Sequence, residues 1–254
     1  MTPTTDVALR TSGLTKNFRG FTAVNAVDLE VARGDIHALV GPNGAGKTTL
    51  FNLLTGFLSP TSGTITILGE DVTGLQPEQI AHKGVARSFQ ITSLFENLNP
   101  LEHVELALQS RTTQGRKFWR SERLLGRFTA RARELLDLVG LADLADKPAG
   151  LLAYGQKRAL EMALVMALDP QVLLLDEPTA GMGIEDVNRT IELVRRIAEG
   201  RTVVFVDHNM TVVGSLADRV TVLQQGRVLA EGTYAEVRAD ERVVTAYLGE
   251  ASHA

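Results

Sequence analysis

Gly41-Pro42-Asn43-Gly44-Ala45-Gly46-Lys47-Thr48 is the stretch on which the reading of this chain turns. It runs glycine, four residues, glycine, lysine, threonine, with the apolar run Ile36 to Val40 before it and Thr49-Leu50-Phe51 after it. That sequence of residue types predicts a strand, a tight loop and a helix beginning at Lys47. Glycines let such a loop curl until successive backbone N–H groups point inward, and the helix start adds its positive dipole end to the same spot. The result is a cradle for phosphate oxygens. Lys47 would reach the outer phosphates, and the Thr48 hydroxyl would ligate the Mg²⁺ that offsets their charge.

A second motif answers the first. Val172-Leu173-Leu174-Leu175 reads as a buried strand that delivers Asp176 and Glu177 to its carboxyl end, the edge at which open α/β sheets bind ligands. Asp176 is placed to hold the metal through its water shell and Glu177 to polarise a water, which suits hydrolysis of a nucleoside triphosphate.

Outward from these motifs, Val24 to Val31, Ile36 to Val40, Thr64 to Leu68, Val85 to Phe89 and Thr202 to Val206 read as strands. Helices are expected after Gly155 to about Leu168 and from about Ile184 to Ala198, so strands and helices alternate as in a parallel sheet covered by helices. From Leu101 to about Val139 the periodicity is helical and suggests a separate helical lobe. A β-rich stretch, Val220 to Glu231, precedes one last helix ending near Leu248. The 254 residues carry 26 Lys+Arg against 30 Asp+Glu, a net charge of −4 that does not match the basic balance of a nucleic-acid binder. With no cysteine there are no disulfides, thiolate metal sites or cysteine nucleophile. No run approaches the roughly 18 apolar residues of a membrane span, and Met1 to Ser12 has no apolar leader core, so a cytoplasmic location is expected. Positions 111 to 133 hold eight basic residues against Glu122 alone, with Trp119 among them. Such a run is either a solvated helical arm or a surface facing anionic headgroups or an acidic partner.

Between the two motifs lies Leu152-Ala153-Tyr154-Gly155-Gln156-Lys157-Arg158. Here the chain resembles an ABC-type ATPase, whose signature reads Leu-Ser-Gly-Gly-Gln: Leu152, Gly155 and Gln156 match, while Ala153 and Tyr154 depart. The resemblance implies an α/β P-loop NTPase fold with an N-terminal antiparallel β subdomain and a helical subdomain. It implies one domain over 1–254, with a catalytic core of 1–90 plus 170–232, a helical subdomain at 91–169 and a C-terminal helix and tail at 233–254. It assigns Phe18 to stacking on adenine, Gln90 to the metal and the attacking water, and His208 to the γ-phosphate. Val24, Asn43, Gly44, Ala45, Gly46, Lys47, Thr48 and Thr49 complete the ATP-binding set. Leu152, Ala153, Tyr154, Gly155 and Gln156 would cover ATP held by a second subunit packed head to tail. Ala153 lacks the usual signature hydroxyl, and Gly183 stands where the family commonly carries Asp, so the two halves of a paired site could differ.

The Leu-Ala-Tyr-Gly-Gln signature, the Ala180-Gly181 pair and the helical segment between Leu101 and Val139 together look like the LivG type, the ATP-binding subunit of importers for branched-chain amino acids, with a related branch for urea and other small polar solutes. That resemblance implies a second ATPase subunit (a paralogue or a second copy), two permease subunits, an extracytoplasmic solute-binding protein and a place on the cytoplasmic face of the membrane. Ile91 to Leu98 would receive the permease, with Leu94 and Phe95 as apolar anchors or as simple packing beneath a loop. Two other readings remain at this stage. One is a non-transport ABC ATPase of translation or repair, and the other a nucleotide-binding subunit that regulates without hydrolysis.

Overall fold

The computed structural model of the chain describes residues 6–88, 94–110 and 122–251. It opens on a long antiparallel pair, β1 (Val7–Phe18) and β2 (Phe21–Ala32), which β4 (Ser62–Ile67) and the short β5 (Glu70–Asp71) extend to a four-stranded sheet in the order β2-β1-β4-β5. A second sheet has six strands in the order β10-β9-β3-β8-β7-β6. They are β3 (Ile36–Val40), β6 (Val85–Arg87), β7 (Val172–Asp176), β8 (Thr202–Val206), β9 (Arg219–Gln224) and β10 (Arg227–Gly232). All neighbours in it are parallel except the β9–β10 hairpin. β7 and β8 are buried at every residue, which is why they are continuous apolar runs with no two-residue alternation.

Helix α1 (Lys47–Leu54) explains how the two sheets share one core. Leu50, Phe51, Leu53 and Leu54 are each at most 1% exposed and form a fully buried face, while Thr48, Thr49 and Asn52 make up the accessible side. They join a single cluster with Leu9, Leu14, Val27 and Leu29 from the antiparallel sheet and Leu39, Leu174, Val204 and Val206 from the parallel one. Each such side chain contributes about 1.5–3 kcal/mol of burial. The loop before α1 is therefore anchored to a helix whose apolar face is fully buried.

The chain divides into two compact units: Met1–Arg87, Gln171–Ala180 and Ala198–Ala254 form the first, and Ser88–Pro170 with Gly181–Ile197 form the second. In the second, α3 (Pro100–Ser110), α4 (Glu122–Leu138) and α5 (Tyr154–Ala167) pack together through Val104, Leu135, Leu136, Leu160 and Ala163, all at most 1% exposed. Helix α6 (Ile184–Ala198) follows the β7 loop.

Several expected elements differ in detail. The helical stretch 101–139 is two helices, α3 and α4, and the residues between them lie outside the described set, as do Arg111, Arg116, Lys117, Trp119 and Arg120 of the basic run. The expected strand Val85 to Phe89 is seen as Val85–Arg87, with Phe89 outside the described residues. The single last helix is two, α8 (Tyr234–Ala239) and α9 (Glu241–Ala251), separated at Asp240 in extended backbone. Each has a reason to start where it does. Thr233 and Glu236 close a capping box on α8, and Asp240 accepts the Arg242 N–H at the start of α9. The sequence pattern did not mark β1, α2 (Pro77–His82) or α7 (Met210–Leu216).

Candidate active site

The strand order places the motifs side by side. From β3 the chain enters the phosphate loop, from β8 it reaches Asp207 and His208, from β7 Asp176 and Glu177, and β6 ends at Arg87. These four strands are consecutive neighbours, so their carboxyl ends form one edge of the parallel sheet.

Two glycines fix the phosphate loop. At Gly41, with φ 150°, a Cβ would lie 2.2 Å from the Leu223 carbonyl oxygen. At Gly46, with φ 102°, it would lie 2.4 Å from that of Ala23. Neither backbone neighbour can retreat, so only glycine fits. Gly46 is also the N-cap of α1 and brings no side-chain cap, leaving the helix start to whatever the loop encloses. Lys47 is 7% exposed and folds back onto its own loop, Nζ donating to the carbonyls of Gly41 at 2.6 Å and Pro42 at 2.9 Å. Asn43, Gly44 and Thr48 are exposed, Thr49 is half-buried and Ala45 is buried.

On β7, Asp176 is nearly buried and pairs with Arg87 across the sheet, Nη2 to Oδ2 at 2.6 Å. Glu177 follows with φ 46°, a left-handed conformation that costs a non-glycine residue about 1–2 kcal/mol. Its N–H donates to Val206 O at 2.8 Å, and its Oε1 lies 3.0 Å from His208 Nε2. The next loop is tied down separately. Thr179 donates its hydroxyl to Asp207 Oδ2 at 2.6 Å, while Asp207 Oδ1 accepts the Asn209 N–H at 2.8 Å and Asn209 caps α7 through the Thr211 N–H. Glu177 and His208 are thus held as a pair between two strand ends.

Phe18 ends β1 with 42% of its surface exposed and Lys16 Nζ 5.3 Å from its ring centroid, an accessible aromatic face. Val24 is fully buried in the core cluster and offers no surface to a nucleotide here. Gln90 lies outside the described residues. In the second unit, Leu152 is buried while Ala153 and Tyr154 are exposed at the start of α5. Ala153 is the N-cap and supplies no hydroxyl, so the first turn has no side-chain cap; Gln156 turns back to accept the Ala153 N–H at 2.9 Å. Arg158 lies 5.6 Å over the Tyr154 ring. Gly183 has no neighbour within 4 Å of where a Cβ would stand.

Arg87, Asn52 and Thr179 escaped the sequence reading. Arg87 had one available signal, a basic residue inside the expected strand Val85 to Phe89. Its partner lies 89 residues away, and nothing local joins them.

The donor set suits MgATP. An exposed hydroxyl and a nearly buried carboxylate are hard oxygen donors, beside a loop in which no Cβ can intrude at Gly41 or Gly46. Among the described residues there is no group of three or more His, Cys, Asp or Glu able to hold a metal on its own. A cation bound mainly through phosphate and water requires none.

Comparison with known proteins agrees with this geometry. Residues 24–180 match the ABC transporter family, and residues 227–253 match the branched-chain amino acid ATP-binding cassette transporter family. The chain is 41% identical over 253 residues to the high-affinity branched-chain amino acid transport ATP-binding protein BraF of Pseudomonas aeruginosa, covering 96% of this chain and 98% of that one. It is 39% identical over 250 residues to LivG of Escherichia coli, again with 96% and 98% covered. Among solved structures, the ADP conformation of MJ1267, an ATP-binding cassette of an ABC transporter, superposes with a TM-score of 0.85 at 28% identity, covering 96% of this chain and 99% of that one. The chain belongs to the ABC transporter family, as one of its ATP-hydrolysing, ATP-binding subunits.

Proposed function

We propose that this subunit drives a membrane importer for branched-chain amino acids or a related small polar solute. The near-full-length identity to BraF and LivG supports the solute class, and the arrangement of Lys47, Asp176, Glu177 and His208 on one sheet edge carries the catalytic reading. Nothing in the described residues is a helix long and apolar enough to cross a membrane. The likeness to BraF and LivG supports a subunit that works from the cytoplasmic face of the membrane through permease partners.

The roles follow from the groups. Lys47 exchanges its loop carbonyls for β- and γ-phosphate oxygens, which accept its protons more strongly because they are charged. The α1 N-terminus adds backbone donors to the same phosphates. Thr48 and Asp176, with Gln90, hold Mg²⁺, which supplies charge neutralisation on the phosphates when bound. Glu177 takes a proton from the attacking water. His208, bonded to Glu177 in this structure, orients that carboxylate and donates to the γ-phosphate as charge develops there. Phe18 gives the adenine an apolar face.

Two such subunits pack head to tail, paralogues or copies, with the uncapped first turn of α5 at Ala153–Gln156 facing the other subunit's ATP. Bound ATP favours the closed pair and its hydrolysis releases it. A surface for the permease is available in the second unit. Phe95 is 66% exposed and Leu151 67% exposed, and their segments are tied by Ala149 N–H to Leu98 O and Gly150 N–H to Glu96 O. His103 fixes the Phe95 backbone by accepting its N–H at Nε2, so the aromatic is presented on a braced loop. Ile91 to Ser93 of the expected docking segment lie outside the described residues. An extracytoplasmic solute-binding protein completes the assembly.

The test is to express Glu177→Gln in the native host, solubilise membranes in MgATP and identify what co-purifies. Two permeases and a second ATPase subunit are expected. Recovery from the soluble fraction alone, or with nucleic acid, would overturn the importer reading.

A further inference from the structure

The carboxylate assigned to the metal already has a cation. Arg87 Nη2 lies 2.6 Å from Asp176 Oδ2, with the two side chains 12% and 8% exposed. Nη1 of the same guanidinium donates to Asn52 Oδ1 at 2.6 Å on α1, and also lies 3.4 Å from Thr55 Oγ1. The guanidinium carbon is 5.7 Å from the Phe51 ring centroid and 5.9 Å from that of Phe57. Nε is buried with no hydrogen-bond partner among the described residues. The side chain is thus walled by two aromatic faces and aimed along one edge at Asp176.

An ionised carboxylate this far from water is costly unless a counter-charge accompanies it. Arginine is the side chain that cannot shed its charge to escape the same burial. A divalent cation arriving with ATP brings positive charge to the same carboxylate, where the guanidinium repels it and competes for Asp176 oxygens. We propose that Arg87 is the resident counter-cation of the metal-binding carboxylate. It holds the Asp176 carboxylate in place through the Nη2–Oδ2 contact, and it sets how strongly ATP binding depends on Mg²⁺. Arg87 is a positioning residue acting through Asp176, and the inference rests on the metal role given to Asp176 above.

A purely structural arginine, stapling β6 to α1, would affect ATP binding equally with and without metal. The discriminating quantity is therefore a ratio, the Kd for ATP in EDTA over the Kd in excess Mg²⁺, measured by calorimetry on the purified full chain. In Arg87→Met this ratio is expected to rise about tenfold over the parent, because metal-free ATP loses a nearby cation while Mg²⁺ gains an uncontested carboxylate. Arg87→Lys, which restores the charge without the planar fork, should return the ratio to within about threefold of the parent. A rise smaller than about threefold in Arg87→Met, or a fall, overturns the proposal. Should that protein not fold, Arg87→Gln carries the same expectation and the same threshold. Asp176→Asn separates the premise from the inference. If it keeps the parental ratio, the metal assignment itself is wrong; if it lowers the ratio while Arg87→Met leaves it unchanged, only the role of Arg87 is overturned.

Discussion

His37 offers a quantitative test of how the strand beneath the phosphate loop is held. It is the second residue of β3, fully buried, with Nε2 2.8 Å from Thr221 Oγ1 and Nδ1 without a hydrogen-bond partner among the described residues. Burial first, and then the positive charge of Arg219 directly across the sheet on β9, push its pKa from 6.5 down to about 4. The folded chain therefore holds a neutral imidazole where the unfolded chain binds a proton readily. Between pH 6.5 and 4 the unfolded state carries more protons, so stability falls as pH falls. The contribution is fully present above about pH 6.5 and lost on approaching pH 4, about 3 kcal/mol at about 1.4 kcal/mol per pH unit. About 2 kcal/mol of that disappears between pH 7 and pH 5. His37→Gln keeps a polar group toward Thr221 and cannot titrate. Urea unfolding midpoints of both proteins at pH 7, 6 and 5 give the comparison, since every other titrating group, including Asp35 with its raised pKa, is common to the two. The glutamine protein is expected to be less stable at pH 7 yet to lose about 2 kcal/mol less than the parent on going to pH 5. Parallel losses within about 0.5 kcal/mol would refute the reasoning, because they would mean His37 titrates alike in both states.

The left-handed backbone at Glu177 predicts a trade of stability against activity. Glu177→Gly relieves the φ 46° conformation and should melt about 2–8 °C above Glu177→Gln, with both turning over ATP about 10²–10⁴-fold more slowly than the parent. Turnover of the glutamine protein within about threefold of the parent, in a phosphate-release assay, would remove Glu177 as the base. Gly41→Ala should abolish ATP binding and cost more than about 2 kcal/mol, because its Cβ meets the Leu223 carbonyl. Gly44→Ala, facing open space at φ 74°, should cost about 1 kcal/mol, and equal effects at the two positions in denaturation and binding would contradict the loop geometry. Phe95→Ser should leave the melting temperature of the isolated subunit unchanged within about 1 °C while reducing permease recovered in a pull-down from membranes. A large stability loss would make Phe95 a packing residue instead.

Much of the parallel sheet was legible because its strands are buried on both faces. Ile36–Val40 and Thr202–Val206 are mostly apolar runs bounded by polar or glycine residues. The phosphate loop was legible for a similar reason, since its glycine, lysine and threonine spacing is dictated locally. β1 was hidden by its own irregularity. Its pairing with β2 slips at four points, Gly13 takes φ 55°, and the alternation that marks a strand is broken at each slip. Thr11 misleads further, being 2% exposed and held by its hydroxyl to Val27 O and Leu29 N–H, a polar residue doing the packing of an apolar one. Tertiary pairs were beyond local reading altogether. Glu177 and His208 were each identified from their motifs, yet the bond between them exists because β7 and β8 are neighbours in the sheet.

The internal contacts of this site explain how its charges are held close together. Lys47 is satisfied by two carbonyls, Asp176 by Arg87, and Glu177 by His208. Each charged group thus has an internal partner, which lowers the cost of holding Lys47 and Asp176 in positions 7% exposed. The same arrangement limits how tightly nucleotide binds, because MgATP must replace or share these contacts and gains only the difference between the new bonds and the old. Contacts with neutral carbonyls are the weaker class, so Lys47 has the most to gain from a charged phosphate, whereas the Arg87–Asp176 pair is charge-assisted and nearly buried and yields least. Affinity for the triphosphate should therefore be drawn chiefly from the loop and α1, and sensitivity to the metal chiefly from β6 and β7. A Lys47→Ala protein is expected to lose ATP affinity in EDTA and in Mg²⁺ by similar factors, in contrast to the selective effect at Arg87. If Lys47→Ala instead changed the ratio as strongly as Arg87→Met, the two contributions would not be separable by strand, and the division of labour argued from these internal contacts would be wrong.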